Sequence, residues 1–306
     1  MNSRIVIGSR GSRLALVQAE WVKARLSLLE PEIEVQIEII KTTGDVKSDP
    51  LSVIGGKGVF TKELENALME RRIDVAVHSL KDLPTIVPEP LKLAAICERE
   101  DPRDALVLPL ERHAGVSSLN DLNTGAVVGT SSPRRLAQLA NIRPDLECAD
   151  LRGNVDTRLR KLDEGQYHAL ILAAAGLRRL GFENRISVAI SPEQMLPAVG
   201  QGALGIQTRV ADAELNRLLT GLGHEHTRLA CTAERSLLRT LGGGCLLPIA
   251  GHAVISNSTL ILNGLVASRN GKQILRDRVT GDSQDAERLG ADLAARLLAN
   301  GAGDLL

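Results

Sequence analysis

A chain of 306 residues with a hydrophobic fraction of 43% exceeds what one core usually organises, so two or three domains are expected. Its formal charge of zero and its four aromatic residues (one Trp, one Tyr, two Phe) argue against a nucleic-acid partner and against an anionic membrane surface. Nine Lys stand against 28 Arg, an imbalance that suits carboxylate or phosphate recognition but that a GC-rich genome would also produce, so position has to decide.

The N-terminus, Met1-Asn2-Ser3-Arg4-Ile5, has no apolar signal core, and no run reaches transmembrane length, which predicts a soluble, cytoplasmic protein. Arg4 to Gly8 reads as a strand. Leu14, Val17, Trp21, Ala24 and Leu28 fall at three- and four-residue steps and predict a helix. Val35, Ile37 and Ile39 alternate with polar residues as a half-buried strand. Phe60, Leu64, Ala67 and Leu68 mark a second helix, Ile73 to His78 a strand, and Leu91 to Cys97 another. The charged run Glu98-Arg99-Glu100-Asp101-Pro102-Arg103 reads as a crossing between domains. Strands follow at Ala126 to Gly129, Leu146 to Leu151 and Ala169 to Ala175, with helices from Pro133 and around Val155, Leu159 and Leu162.

Alternation of this kind implies βαβ units and mainly parallel sheets. Leu196 to Gly202 reads as a second crossing, after which Ala203 to Gln207 returns a strand to the first domain. From about Ala211 the pattern changes to helices, then strand-like runs at 249–255, 260–267 and 273–280, with a turn at Asn270-Gly271 and a closing helix. The fold class is α/β: a first α/β domain over 1–101 with 202–218, a second over 102–201, and a small α+β C-terminal domain with an antiparallel sheet over 219–306.

In open α/β sheets, ligands bind outside the carboxyl ends of strands. Those handovers are rich in Arg, Ser and Gly: Ser9-Arg10-Gly11-Ser12-Arg13, Thr130-Ser131-Ser132-Pro133-Arg134-Arg135, Arg152-Gly153-Asn154-Val155-Asp156-Thr157-Arg158 and Gly176-Leu177-Arg178-Arg179. Ser132 suits an N-cap and Pro133 the first helical position. A helix N-terminus is already electropositive, so Arg134 and Arg135 there are unfavourable unless an anion answers them. Surface arginines can simply point into water, but four handovers with one bias favour a polyanion site. A carboxylate, Asp82, stands amid this charge in Ser79-Leu80-Lys81-Asp82. It is either a salt-bridged loop anchor or a group that stabilises a cationic intermediate or moves protons. Gly55-Gly56-Lys57-Gly58-Val59-Phe60 adds a glycine loop with one Lys and one ring.

Four cysteines show no metal-ligand spacing, and His224-Glu225-His226 reads as a polar helix start, so no metal is expected. Cys97, Cys148 and Cys231 fall in strand or helix patterns and are expected in cores. Cys245 differs, because Gly242-Gly243-Gly244 displays it between a helix and a strand. It is an incidental thiol on a surface loop or a functional one.

Taken together and in this order, Ser9-Arg10-Gly11-Ser12, Gly55-Gly56-Lys57-Gly58-Val59-Phe60, His78-Ser79-Leu80-Lys81-Asp82-Leu83-Pro84, Gly129-Thr130-Ser131-Ser132-Pro133-Arg134-Arg135, Leu151-Arg152-Gly153-Asn154-Val155-Asp156-Thr157-Arg158 and Gly243-Gly244-Cys245 resemble the porphobilinogen deaminase (hydroxymethylbilane synthase) family. The resemblance implies two periplasmic-binding-protein-like α/β domains plus the small third domain. It implies a monomeric enzyme that joins four porphobilinogen molecules into a linear tetrapyrrole without metal. It implies a dipyrromethane cofactor on Cys245, Asp82 as the catalytic carboxylate, and Lys81, Asp82, Ser132, Arg134, Arg135 and Arg152 around the cofactor. Arg10, Ser12, Arg152, Arg158 and Arg179 would hold substrate carboxylates, with Lys57 and Phe60 in a covering loop. Gly242 and Leu246-Leu247 depart from the family's usual residues near the cysteine. The alternative is a small-molecule anion-binding protein of the same fold, which would need neither Asp82 nor Cys245.

Overall fold

The computed structural model describes residues 4–42, 61–110, 116–244 and 246–306. The chain divides into two compact units, Met1–Glu100 with Ala203–Arg228, and Asp101–Gly202 with Leu229–Leu306.

The first unit is built on β1 (Arg4–Ser9), β2 (Glu34–Ile39), β3 (Val75–Ser79), β4 (Leu91–Ile96) and β10 (Leu204–Arg209), in the order β2-β1-β3-β10-β4. β1 is parallel to β2 and β3, whereas β10 runs against both β3 and β4. The two-residue period of β1 splits its apolar side chains between two cores. Ile5 and Ile7 join Ala19, Val22 and Leu26 of α1 (Arg13–Leu29), while Val6 joins Leu64, Ala67 and Leu68 of α2 (Lys62–Met69). Leu64 and Leu68 are fully buried, each contributing about 2 kcal/mol by removal from water.

The second unit repeats this wiring. β5 (Asp104–Val107), β6 (Val127–Gly129), β7 (Glu147–Ala149), β8 (Ala169–Ala173) and β9 (Val188–Ile190) lie in the order β7-β6-β8-β5-β9. β6 is parallel to β7 and β8, and β5 runs against β8 and β9. α3 (Pro133–Ile142), α4 (Val155–Asp163) and α5 (Ala174–Arg179) follow β6, β7 and β8. Gly129 ends β6 where a Cβ would stand 2.6 Å from Leu170 Cδ2 and 2.9 Å from Tyr167 Cδ1, so a larger residue would force those side chains to shift. The unit also holds an antiparallel sheet of β11 (Ile249–Ser256), β12 (Thr259–Ala267) and β13 (Ile274–Asp282). α8 (Ala286–Ala299) packs on it through Leu289, Leu293 and Leu297. α6 (Ala213–Thr220) belongs to the first unit, and the boundary at Arg228 falls within α7 (Glu225–Thr240).

Two mixed α/β sheets and a small antiparallel sheet are thus present, as the sequence predicts, with three differences. Each α/β sheet has one strand against the rest, β10 or β5, where mainly parallel sheets were expected. β5 and β9 are four and three residues long, too short to show a period, and pass unseen in sequence. The apolar run from Ala169 leaves the strand at Ala173, and Ala174 opens α5, because alanine-rich segments serve either element. Cys97 and Cys231 are buried as expected, but Cys148 is exposed, since β7 is an edge strand.

Candidate active site

In the first unit β1 and β3 are parallel neighbours, so the segments that leave them share one sheet edge. Ser12 is the N-cap of α1, its hydroxyl accepting from Ala15 N at 3.4 Å. Gln18 Nε2 of the same helix donates to Ser79 Oγ at 2.9 Å and ties α1 to the end of β3. A 3-10 turn, Leu80–Asp82, follows. Leu80 is buried and its N–H donates to Ala203 O at 3.0 Å. That anchor leaves Lys81 and Asp82 half-buried at the edge. Arg10 and Ser12 are half-buried on the neighbouring loop.

His78, one residue before this turn, is buried and its Nε2 lies 2.9 Å from Gln207 Oε1. Gln207 Nε2 in turn donates to Glu65 Oε1 at 3.2 Å, which fixes the amide's orientation and places the proton of His78 on Nε2. Burial lowers the His78 pKa to about 4, with the Gln207 bond opposing and the charge of Arg10 adding.

In the second unit, β6, β7 and β8 are parallel neighbours, and their exits again share an edge. Ser131 Oγ donates to Leu151 O and accepts from Leu151 N, each at 2.8 Å. Ser132 holds the N-cap position of α3 with Pro133 first in the helix, but its side chain makes no capping bond. Arg152 is about one-third exposed, its Nε 3.2 Å from Asp150 Oδ2. Arg158 Nε donates to Gly153 O and Arg179 Nη2 to Gly202 O, each at 2.7 Å.

Arg134 and Arg135 behave differently from what the sequence predicts. Both are buried and turn to Asp104, a wholly buried residue at the start of β5. The unfavourable placement of two arginines at a helix start is therefore answered by a carboxylate of the chain itself. Asp104 was hidden in sequence behind the charged run read as a crossing. His78, Gln207 and Glu65 were likewise missed, and only the heading of an apolar strand by a polar residue could have pointed to Asp104.

Cys245, Lys57 and Phe60 lie outside the described residues. The approach to Cys245 is described: Gly243 N donates to Leu238 O at 2.9 Å and Gly242 N to Arg239 O at 3.0 Å. With Gly242 at φ 67°, this is a Schellman stop for α7.

Two sheets of one wiring, each with cationic and hydroxyl-bearing segments at its carboxyl edge and one with a half-buried carboxylate there, define an α/β protein that handles anionic small molecules. Solved structures similar to this chain include the periplasmic VFT2 domain of BvgS from Bordetella pertussis (15% identical, 72% of this chain and 86% of that chain, TM-score 0.42). Another is the probable amino-acid ABC transporter extracellular-binding protein ytmK from Bacillus subtilis (13% identical, 72% and 90%, TM-score 0.42). The family model described as "Porphobilinogen deaminase, dipyromethane cofactor binding domain" matches residues 5–217, and "Porphobilinogen deaminase, C-terminal domain" matches residues 228–299. A porphobilinogen deaminase of Syntrophobacter fumaroxidans is 48% identical over 308 residues, covering 100% of this chain and 98% of that protein. The chain belongs to the porphobilinogen deaminase family. It is a transferase that condenses four porphobilinogen molecules head to tail into linear hydroxymethylbilane, releasing ammonia and using a dipyrromethane cofactor as primer. Membership of this family sets aside the alternative of a small-molecule anion-binding protein.

Proposed function

We propose that Cys245 carries the dipyrromethane through a thioether and that Asp82 is the catalytic carboxylate. Lys81, Ser132, Arg134, Arg135 and Arg152 hold the cofactor's acetate and propionate groups. Arg10, Ser12, Arg152, Arg158 and Arg179 hold those of substrate and growing chain, with Lys57 and Phe60 in the loop that covers them. The donor set fits such a group. Among the described residues Arg134 Nε is buried without a hydrogen-bond partner, and Ser132 does not spend its hydroxyl on capping. Cationic and hydroxyl donors at the strand ends match a ligand bearing four carboxylates.

The observation that carries the reading is Asp82, half-buried at the carboxyl edge next to Lys81 and across one strand step from the Arg10 loop. Porphobilinogen loses ammonia when its aminomethyl C–N bond breaks, leaving an electron-poor methylene-pyrrolenine. The bond breaks from the ammonium form, so ammonia leaves neutral and the N–H-bearing ring keeps the positive charge, which the carboxylate of Asp82 offsets through the pyrrole N–H. When bound, the dipyrromethane would supply the free α-carbon that the first new C–C bond requires. Asp82 then accepts the proton lost from that carbon and passes it to the released ammonia, which returns the carboxylate to its starting state. The arginines bind and orient carboxylates throughout, and a fixed geometry is what makes the bimolecular step fast.

A monomer acting in the cytoplasm, with no nucleic-acid or membrane partner, completes the reading. Among the described residues, no helix is long and apolar enough to cross a membrane. Purified protein given porphobilinogen is expected to release ammonia and linear tetrapyrrole, and to be heavier than its sequence by two linked pyrrole units located on the Cys245 peptide. An active but unmodified chain, or an adduct on Cys97, Cys148 or Cys231, overturns the assignment.

A further inference from the structure

Asp104 heads β5, the one strand of its sheet that runs against its neighbours. Its Oδ2 accepts from Arg134 Nη1 at 2.7 Å. Its Oδ1 accepts from Arg134 Nη2 at 3.2 Å, from Arg135 Nε at 3.0 Å and Nη2 at 2.7 Å, and from Gln201 Nε2 at 2.9 Å. Among the described residues, the other hydrogen bonds of the two guanidinium groups go to neutral carbonyls: Leu196 O with Arg134 Nη1 at 2.8 Å, and Ile171 O with Arg135 Nη1 at 3.0 Å. Gln201 also donates to Pro102 O at 2.7 Å and stands between Gly200 and Gly202, both with φ positive. Burial opposes ionisation of Asp104, yet the charges of Arg134 and Arg135 hold its pKa well below the usual carboxylate range.

Two guanidinium charges thus share one carboxylate in a site almost without water, where surplus charge is costly. We infer that Asp104, steadied by Gln201, is a positioning residue for the reaction: it fixes Arg134 and Arg135 as one cluster with a single surplus positive charge, and that surplus draws one carboxylate of the bound pyrrole chain. The inference rests on the reading that Arg134 and Arg135 serve the cofactor. The orphan Nε of Arg134 is where the structure leaves a donor to be met. A full set of counter-ions would have satisfied the cluster and removed its demand for a ligand.

Three variants test this: Asp104→Asn, Gln201→Met and Arg134→Leu. Each is read by melting temperature and by the rate at which folded protein gains the two-pyrrole mass when given porphobilinogen. Asp104→Asn is expected to melt lower and, per folded molecule, to load at least about tenfold more slowly. Gln201→Met keeps all charges but leaves Pro102 O and Asp104 without this donor; it is expected to melt lower than the parent and, per folded molecule, to load about threefold or more slowly, as for a weakened hydrogen bond to a charged group. A purely structural role would move melting and leave loading per folded molecule unchanged, and that result overturns the inference. If Asp104→Asn does not fold, Gln201→Met decides alone. Normal loading by Arg134→Leu removes the underlying reading; failed loading there beside normal loading in Asp104→Asn and Gln201→Met removes only the positioning role.

Discussion

Ser131 Oγ meets both backbone groups of Leu151 at 2.8 Å, donating to its carbonyl and accepting from its N–H. One hydroxyl therefore joins the exit of β6 to the exit of β7, one residue before Arg152. Leu151 is buried, so Ser131→Ala leaves two of its backbone groups without their partner at a cost of about 1–3 kcal/mol. The loop that carries Arg152 loosens in consequence. Urea unfolding should show the loss, and KM for porphobilinogen should rise more than kcat falls. Unchanged stability together with unchanged KM would show that the bridge positions nothing.

Asp82 offers a cleaner separation of chemistry from fold. Among the described residues its turn is anchored by Leu80, which is buried and bonded through its backbone to Ala203, and not by the carboxylate. Asp82→Asn should therefore melt close to the parent and still carry its carboxylate-binding residues. Turnover should fall by two to three orders of magnitude, the effect of removing about 3–4 kcal/mol of transition-state stabilisation. Activity within roughly threefold of the parent would make Asp82 a loop anchor.

On the proposed reading, Arg152 links the ligand to stability. A tethered polyanion is present at high effective concentration, and a ligand at a thousand times its dissociation constant already adds about 4 kcal/mol. Cys245→Ser, which on the proposed assignment lacks the attachment point of the cofactor, should melt lower and be cleaved faster by protease. Arg152→Leu should resemble it, because its cofactor assembly is hindered and intact mass should find the chain largely unmodified. Full loading and normal turnover in Arg152→Leu would contradict the polyanion site.

How much of this was legible in the sequence depends on the range of the interaction. Ile5, Val6 and Ile7 announce a strand buried on both faces, and Ser132-Pro133 announces the start of α3, because these signals are local. The same local signals place Arg134 and Arg135 at a helix start but say nothing of where their side chains turn. That depends on Asp104, thirty residues earlier, arriving through a four-residue strand inserted against β8 and β9. The handover loops stood out in the sequence since Arg, Ser and Gly recur at strand exits. The links that stiffen them, Ser131 to Leu151 and Gln18 to Ser79, are 20 and 61 residues apart in sequence and had no periodic trace.

His78 gives a prediction that depends on neither cofactor nor substrate. Its imidazole is held neutral in the fold, with a pKa of about 4 against about 6.5 in an unfolded chain. Below pH 6.5 the unfolded chain gains a proton that the folded protein refuses until about pH 4. Stability from this group is therefore complete above pH 6.5 and is lost as pH falls from 6.5 to 4, by about 3 kcal/mol in all. Between pH 7.5 and pH 5 the share is about 2 kcal/mol. Carboxylates such as Asp104, whose pKa lies below its usual value, titrate at lower pH and add little to this window. His78→Gln keeps an amide donor toward Gln207 but cannot take up the proton. Its unfolding free energy by urea should accordingly change less between pH 7.5 and pH 5, by about 2 kcal/mol, than that of the parent. Equal changes in the two proteins would mean that His78 titrates in the fold as it does in water, and that the link through Gln207 to Glu65 does not hold its tautomer.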